Sequence, residues 1–296
     1  MHDAISQVAQ AQRDRLAFIE LRLRFLGEIR RQDIVNRFGI QAAAATRDLA
    51  LYKDLGQKNL EYNTKSKVYV RTSRFNPVFD FHPQRVLTWL SQSFGDVEPS
   101  QPKSVLPCDL SPNSVNVDLE VLSVLTRAIH SQSVVEISYR SLSSGLTTRE
   151  LAPFAIANNG NRWHIRGFDR RSQEFRDFVL NRVVDAQLVP GELLPHETVA
   201  NDIQWNRIVE IELVPHPANV QHPDTVEAEF GMKGGVLNLK VRASMVGYLM
   251  RSWNVDCTAD HSLKGTEYLL WLRNRQALYG VGNLVLAPGY DASDQP

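Results

Sequence analysis

What most constrains the fold of this chain is a punctuation pattern in its first third. A short segment, RRQDIVNRF, stops at Gly39 and is followed almost at once by an alanine-rich run, QAAAATRDLALYKDL. Glycine breaks a helix and alanine is the strongest helix former, so the pattern predicts two helices joined by a tight turn. Ile34, Val35 and Phe38 are the apolar positions of the first of them. Upstream, RDRLAFIELRLRFLGEI sets Leu16, Ile19, Leu23 and Leu26 at helical spacing among Arg13, Arg15, Arg22 and Arg24. Downstream, NLEYNTKSKVYVRT reads as two short strands around a polar turn at Asn63 to Ser66. Three helices, a glycine turn before the third, and then a basic hairpin make a winged helix-turn-helix.

The third helix sorts into two faces. Steps of four and three keep Ala45, Leu49 and Tyr52 on one side, to pack on the preceding helices. Gln41, Ala43, Ala44 and Arg47 lie nearer the opposite side, and Thr46 flanks it. A recognition helix needs that end free to reach base edges in the major groove. Arg47 suits a guanine edge or a phosphate, and bare alanines allow close approach to thymine methyls. In the hairpin, Lys65 and Lys67, with Arg71, are placed for backbone phosphate. Charge agrees: residues 1 to 75 hold 14 Lys and Arg against 8 Asp and Glu, a net +6 on a chain whose total is zero. A basic end on a neutral chain points to a polyanion there, although a solvated helix surface used for protein contact would carry the same charge. One small winged helix makes few contacts, so a homodimer reading an inverted repeat in double-stranded operator DNA is expected.

Residues 79 to 94 contain one more helix, HPQRVLTWLSQSF, which closes a first domain at 1 to 94. The Pro- and Ser-rich stretch at 95 to 117 reads as an extended linker. DLEVLSVLTRAIHSQ resumes a helix, with Leu119, Leu122, Leu125 and Ile129 on one side. The segments SVVEISYRS, TTRELAPFAIA, NRWHIRGFD, EFRDFVLN and VVDAQLVP then suggest a small antiparallel barrel, giving a second domain at 118 to 194. If NRWHIRGFD is a strand, Trp163, Ile165 and Gly167 share a core face while Arg162, His164 and Arg166 share a cationic one. Ser138, Tyr139, Arg149, His164, Arg166 and Arg182 are the candidates for an anion pocket, because guanidinium forks suit phosphate or carboxylate. Ordinary outward-facing polar residues are the plainer alternative. The last part, 195 to 296, reads as a small α+β domain whose Trp253 and Trp271 are expected in its core.

The stretch RWHIRGFD followed by NRVVDAQ resembles the core of the WYL domain, an Sm-like β-barrel named for a Trp-Tyr-Leu motif. Trp163, His164 and Ile165 stand where that triplet belongs, with only the Trp retained, and Arg182 matches the family's Arg after the next strand. The first third, from RLAFIELRLRF to SKVYV, resembles the winged helix of BrxR/CapW-like regulators of phage-defence operons. The resemblance implies an α+β multidomain chain: an N-terminal winged helix-turn-helix, a central Sm-like WYL β-barrel and a C-terminal WCX extension. It implies a transcriptional repressor that binds operator DNA as a homodimer, with a WYL domain sensing a nucleotide or oligonucleotide. One departure stands out. Many winged helices put Ser or Thr at the recognition-helix N-cap, where this chain has Gln41 or Ile40.

Other chemistry finds little footing. His216 and His222 bracket PANVQ with no nearby Cys, which does not make a zinc site. Cys108 lies in the linker without a base, and no carboxylate cluster for a metal nuclease can be assembled. No cofactor, metal or catalytic residue is expected; a nucleic-acid-processing enzyme and a protein-binding adaptor remain the rival classes. Two cysteines, no signal peptide and no apolar run of roughly 18 residues favour a cytoplasmic protein without a membrane partner.

Overall fold

A computed structural model of the chain describes residues 8–92 and 117–291. Most of the expected linker, with Cys108, lies outside the described residues. The chain divides into two compact units, one of Met1–Ile156 with Ile165–Leu193 and one of Ala157–His164 with Leu194–Pro296.

The first unit begins with α1 (Gln10–Leu26), β1 (Glu28–Ile29), α2 (Arg31–Phe38), α3 (Ala42–Leu55), β2 (Leu60–Asn63), β3 (Val68–Arg71) and α4 (Pro83–Gln92). Gly27 and Gly39 end α1 and α2 in the left-handed region, at φ 86° and 63°, which only glycine adopts without strain. Leu16, Ile19 and Leu23 of α1 are buried with Ile34 of α2 and with Ala45, Leu49 and Tyr52 of α3. β1 was not anticipated. It pairs antiparallel with β3, Glu28 opposite Val70 and Ile29 opposite Tyr69, so the wing is a three-stranded sheet in the order β1-β3-β2.

Two buried carboxylates hold this bundle together. Glu20, in the middle of α1, accepts hydrogen bonds from the Tyr52 hydroxyl at 2.9 Å and from the Val78 and Phe79 N–H groups at 2.8 and 2.9 Å. Asn59 donates to the Tyr52 oxygen at 3.1 Å and exchanges bonds with the Asn76 backbone. Helix α1, helix α3 and the segment after the wing therefore meet at one side chain. Asp48 on α3 is the second. It is 1 % exposed and takes the Arg15 Nε at 2.6 Å and the Gln12 Nε2 at 2.8 Å, both from α1.

The same unit continues with α5 (Leu119–Ser131), β4 (Val135–Ser141), β5 (Gly145–Asn158), β6 (Trp163–Asp169), β7 (Glu174–Val179) and β8 (Val183–Leu188), where β5 and β6 run on into residues of the second. Asp118 caps α5 by accepting the Glu120 and Val121 N–H groups. The five strands lie in the order β7-β6-β5-β4-β8. Among the described residues nothing pairs β7 with β8, so the sheet is open and the expected closed Sm-like barrel is not formed. A bulge between Ser138 and Tyr139 shifts the β4–β8 register. The expected two-faced β6 is also corrected: all its residues from Trp163 to Asp169 are buried. It lies inside the sheet with both faces covered, so alternation does not expose His164 or Arg166. Gly167 permits this packing, since a Cβ there would stand 2.6 Å from the Ala152 carbonyl oxygen.

The second unit contains α6 (Ile203–Asn206), β9 (Ile208–Pro215), α7 (Pro223–Phe230), β10 (Leu237–Arg242), α8 (Ala243–Ser252), β11 (Val255–Asp256) and β12 (Leu270–Leu272). Its sheet order is β10-β9-β12-β11, antiparallel except for the parallel pair β11–β12. Val209, Ile211 and Leu213 alternate inward from β9 onto Val246 and Met250 of α8 and Leu270 and Leu272 of β12. Trp253 is not core: it is 39 % exposed, its ring 5.8 Å from Phe230. Trp271 is half-buried and donates to the Thr258 carbonyl. His216 is buried and structural. Its Nδ1 accepts the Ala218 and Asn219 N–H groups, which leaves the proton on Nε2 to donate to Asp256 at 3.0 Å.

Burial pushes the Glu20 carboxyl up from 4.5 to about 7, against its hydrogen-bond donors and the nearby Arg24 charge. The folded chain thus keeps a proton that the unfolded chain releases, and stability from this group is lost as pH rises from about 4.5 through about 7. The melting temperature is expected to fall between pH 5 and pH 8, with a smaller slope in Glu20→Gln. An identical slope in that variant would place the pH dependence on other groups.

Candidate nucleic-acid interface

Sequence placed the reading surface on the outer face of α3, and the structure leaves that face open. Gln41 is the N-cap, at φ −70° and ψ 148°, and its side chain makes no capping bond. The first-turn N–H groups of α3, which no helix satisfies internally, are therefore met by no capping side chain. Gln41, Ala43, Thr46 and Arg47 are exposed, and Ala44 is half-buried. The Thr46 hydroxyl donates to the Ala42 carbonyl at 2.9 Å. Arg47 has no ion pair or hydrogen bond among the described residues. Its neighbour in sequence, Asp48, points the other way into the Arg15 pair. Adjacent helix positions are about 100° apart, so the acid that anchors α3 does not neutralise the cation that faces out.

The wing is built around Asn63, whose Oδ1 accepts the Lys65 and Ser66 N–H groups at 3.0 and 3.2 Å. Lys67 closes the turn at φ 55°. Lys65 and Lys67 are both exposed, and among the described residues no carboxylate pairs with them. Tyr62 and Tyr69, opposite each other across β2 and β3, put their ring centroids 4.9 Å apart and stiffen the hairpin. Arg71 is elsewhere. It lies at the far end of β3 from the turn, half-buried, with its guanidinium 4.7 Å from the Phe75 ring. Burial lowers its pKa, and the charges it feels are Glu120 and Arg24. The expectation that Arg71 joins the wing lysines is corrected accordingly.

The candidate anion residues are less gathered than the sequence suggested. Tyr139 and Arg149 converge on Phe178, with the rings of Tyr139 and Phe178 at 5.1 Å and the Arg149 guanidinium 5.8 Å from the Phe178 ring. The Tyr139 hydroxyl oxygen accepts the Val179 N–H. Arg149 is already paired with buried Asp169 at 2.6 Å, and Arg166 with Asp177 at 2.9 Å. Ser138 is half-buried on β4, and Arg182 half-buried in the single turn Leu180–Arg182 between β7 and β8. His164 falls in the second unit, its ring 5.1 Å from Tyr248. Two of the candidate cations, Arg149 and Arg166, are therefore committed to internal ion pairs. Sequence reasoning missed Asp169, Asp177 and Asp48, since a carboxylate 11 to 33 residues from its arginine leaves no periodic signal, and it missed Glu20, whose partners Tyr52, Val78 and Phe79 are equally remote.

Residues 11–92 match the BrxR transcriptional regulator winged helix-turn-helix domain, residues 120–188 the WYL domain, and residues 208–278 the BrxR transcriptional regulator C-terminal dimerization domain. The DNA-binding transcriptional repressor CapW of Escherichia coli (strain KTE188) is 30% identical over 292 residues, spanning 91% of each chain. CapW of Pseudomonas aeruginosa is 31% identical over 277 residues and 90% of each chain. The solved proteasome accessory factor B/C of Arthrobacter aurescens superposes at a TM-score of 0.27 with 16% identity, covering 79% of this chain and 44% of its own.

The α1–α3 clamp has a measurable worth. Hydrogen bonds to a charged group contribute about 1.5–3 kcal/mol, and Arg15 is nearly buried beside Asp48. Asp48→Ala is expected to lower unfolding stability by about 2 kcal/mol in a denaturant titration. A loss below about 0.5 kcal/mol would show that α3 is held by its apolar face alone.

Proposed function

The chain belongs to the family of CapW transcriptional repressors, and from that premise we propose that it is a homodimeric repressor of its own kind of operator. Two copies of α3 enter the major groove at the two halves of an inverted repeat, and the wings hold the flanking phosphates. The observation that carries this reading is the outer face of α3: a guanidinium without a partner, Arg47, beside bare Ala43, with uncommitted Lys65 and Lys67 on the adjoining hairpin. Gln41 and Thr46 complete the reading edge, as residues whose amide and methyl suit an adenine and a thymine. Pairing of the two copies is assigned to the C-terminal unit, in line with its match to a dimerization domain. The controlled operon is of the phage-defence type that the BrxR resemblance implies. The relatives are named as repressors, which supports a regulator rather than an enzyme.

The middle sheet is the proposed sensor in this reading. Ser138, Tyr139, Arg149, Arg166 and Arg182 are its contact residues, and a nucleotide or oligonucleotide would act by exchanging with Asp169 or Asp177 for a guanidinium. A ligand can shift DNA affinity only if it binds the released form more tightly.

The test is anisotropy on the intergenic inverted repeat upstream of the gene. Arg47→Ala is expected to weaken binding by about 1–3 kcal/mol and to relax preference at one base position. Lys65→Ala and Lys67→Ala are each expected to weaken all sequences alike and to reduce the salt slope by about one. Wild-type protein that fails to distinguish the repeat from scrambled DNA would end the repressor reading.

A further inference from the structure

Around the base of the wing, α1, β3 and α5 bring together three arginines and one carboxylate. Arg24, in the last turn of α1, is 6 % exposed, and its Nη2 lies 2.6 Å from Glu120. Arg127 of α5 is half-buried; its Nη1 donates to the Arg24 carbonyl at 2.9 Å and to the Ser123 hydroxyl at 3.0 Å. Arg71, on β3, is the third: its backbone N–H donates to the Gly27 carbonyl at 2.8 Å, and a Cβ at Gly27 would stand 3.5 Å from the Arg127 Cδ. Burial pulls the Arg127 guanidinium down to about 10, helped by the positive charges of Arg71 and Arg24, against which Glu120 acts alone. The four groups thus lie within one another's field.

Their charges do not balance. Among the described residues three cations face a single carboxylate whose side chain is 62 % exposed, and the carbonyl end of α1 adds only a fraction of a negative charge. Hydrogen bonding is incomplete as well. The Nε groups of Arg24 and Arg71 are buried and meet no acceptor. Among the described residues the Arg71 guanidinium makes no hydrogen bond, and it lies 4.7 Å from the Phe75 ring. Buried donors are almost always satisfied in folded proteins. Among the described residues this leaves a surplus of about two positive charges, with planar donors free to bind an anion.

We propose that Arg24, Arg71 and Arg127 form a binding site for a small phosphate-bearing anion at the junction of α1, β3 and α5. Guanidinium forks match the oxygen spacing of phosphate. The occupant is small because Arg24 is enclosed, and it is not the operator backbone because Arg71 sits at the opposite end of β3 from the Lys65–Lys67 turn. Occupancy ties β3, which carries the wing, to α5, which runs directly into β4 and its Ser138 and Tyr139. This site is distinct from the sensor residues above and does not depend on the DNA reading, since its primary readout is thermal stability.

The experiment uses the full chain in phosphate-free buffer, with inorganic phosphate or AMP added against chloride at matched ionic strength. A saturable rise of several degrees in melting temperature is expected. The half-saturating concentration should increase at least tenfold in Arg71→Gln and in Arg127→Met, and should stay unchanged in Lys240→Gln. If Arg127→Met does not fold, Arg71→Gln decides, because the Arg71 guanidinium makes no hydrogen bond among the described residues that the fold would lose. A response to AMP alone assigns a nucleotide, and a response to both assigns the phosphate group; each upholds the site. Equal melting in all three salts overturns it, as does an undiminished response in Arg71→Gln. A loss of operator affinity with a reduced salt slope in Arg71→Gln without phosphate would also overturn it, by giving the cluster to the DNA interface.

Discussion

The winged helix rests on a division of labour between two carboxylates facing inward and a set of cations facing out. Glu20 gathers the Tyr52 hydroxyl and two backbone N–H groups into the space between α1, α3 and the segment after the wing. Asp48 draws Arg15 and Gln12 onto α3 from the other side. Neither is a surface ion pair of negligible worth; both are buried and multiply bonded, so removing either strands donors in the interior. With α3 fixed at both points, its outer residues need do nothing for the fold. That freedom is why Arg47 and Gln41 are left without structural partners.

The helical third of the chain was legible because its signals are local. Gly39, the alanine run and the polar turn at Asn63 each act through backbone preference within a few residues. The inner face of α3, Ala45 with Leu49 and Tyr52, followed from spacing alone. What stayed hidden depends on distant pairing. β1 is two residues long and exists only because β3 lies beside it. Arg71 reads as a wing cation in sequence, but it is half-buried against the Phe75 ring and feels the charges of Arg24 and of Glu120, some fifty residues further on.

In the middle sheet, periodicity misled for a definable reason. Alternation assigns faces correctly, but it says which face meets solvent only when one side is bare. β6 lies between β5 and β7 with both sides covered, so its charged residues are interior and must be neutralised there. Asp169 and Asp177 do this for Arg149 and Arg166. Two of the positions that read as an open anion pocket, Arg149 and Arg166, are therefore already held in ion pairs. Closure into a barrel was expected both from the strand spacing and from the family resemblance. The strand order leaves β7 and β8 as two separate edges.

The uncapped start of α3 has an evolutionary consequence. A Ser or Thr at Gln41 would tie its oxygen to the helix backbone and strengthen the helix by about 1 kcal/mol. Leaving that position uncommitted forgoes this gain and keeps the residue exchangeable. Gln41, Ala43, Thr46 and Arg47 can drift without disturbing the interior, whereas Asp48, Leu49 and Tyr52 cannot. If the proposed reading edge holds, a lineage built on such a helix retargets to new promoters by a handful of surface changes, and its diverged members share a scaffold while ignoring one another's binding sites.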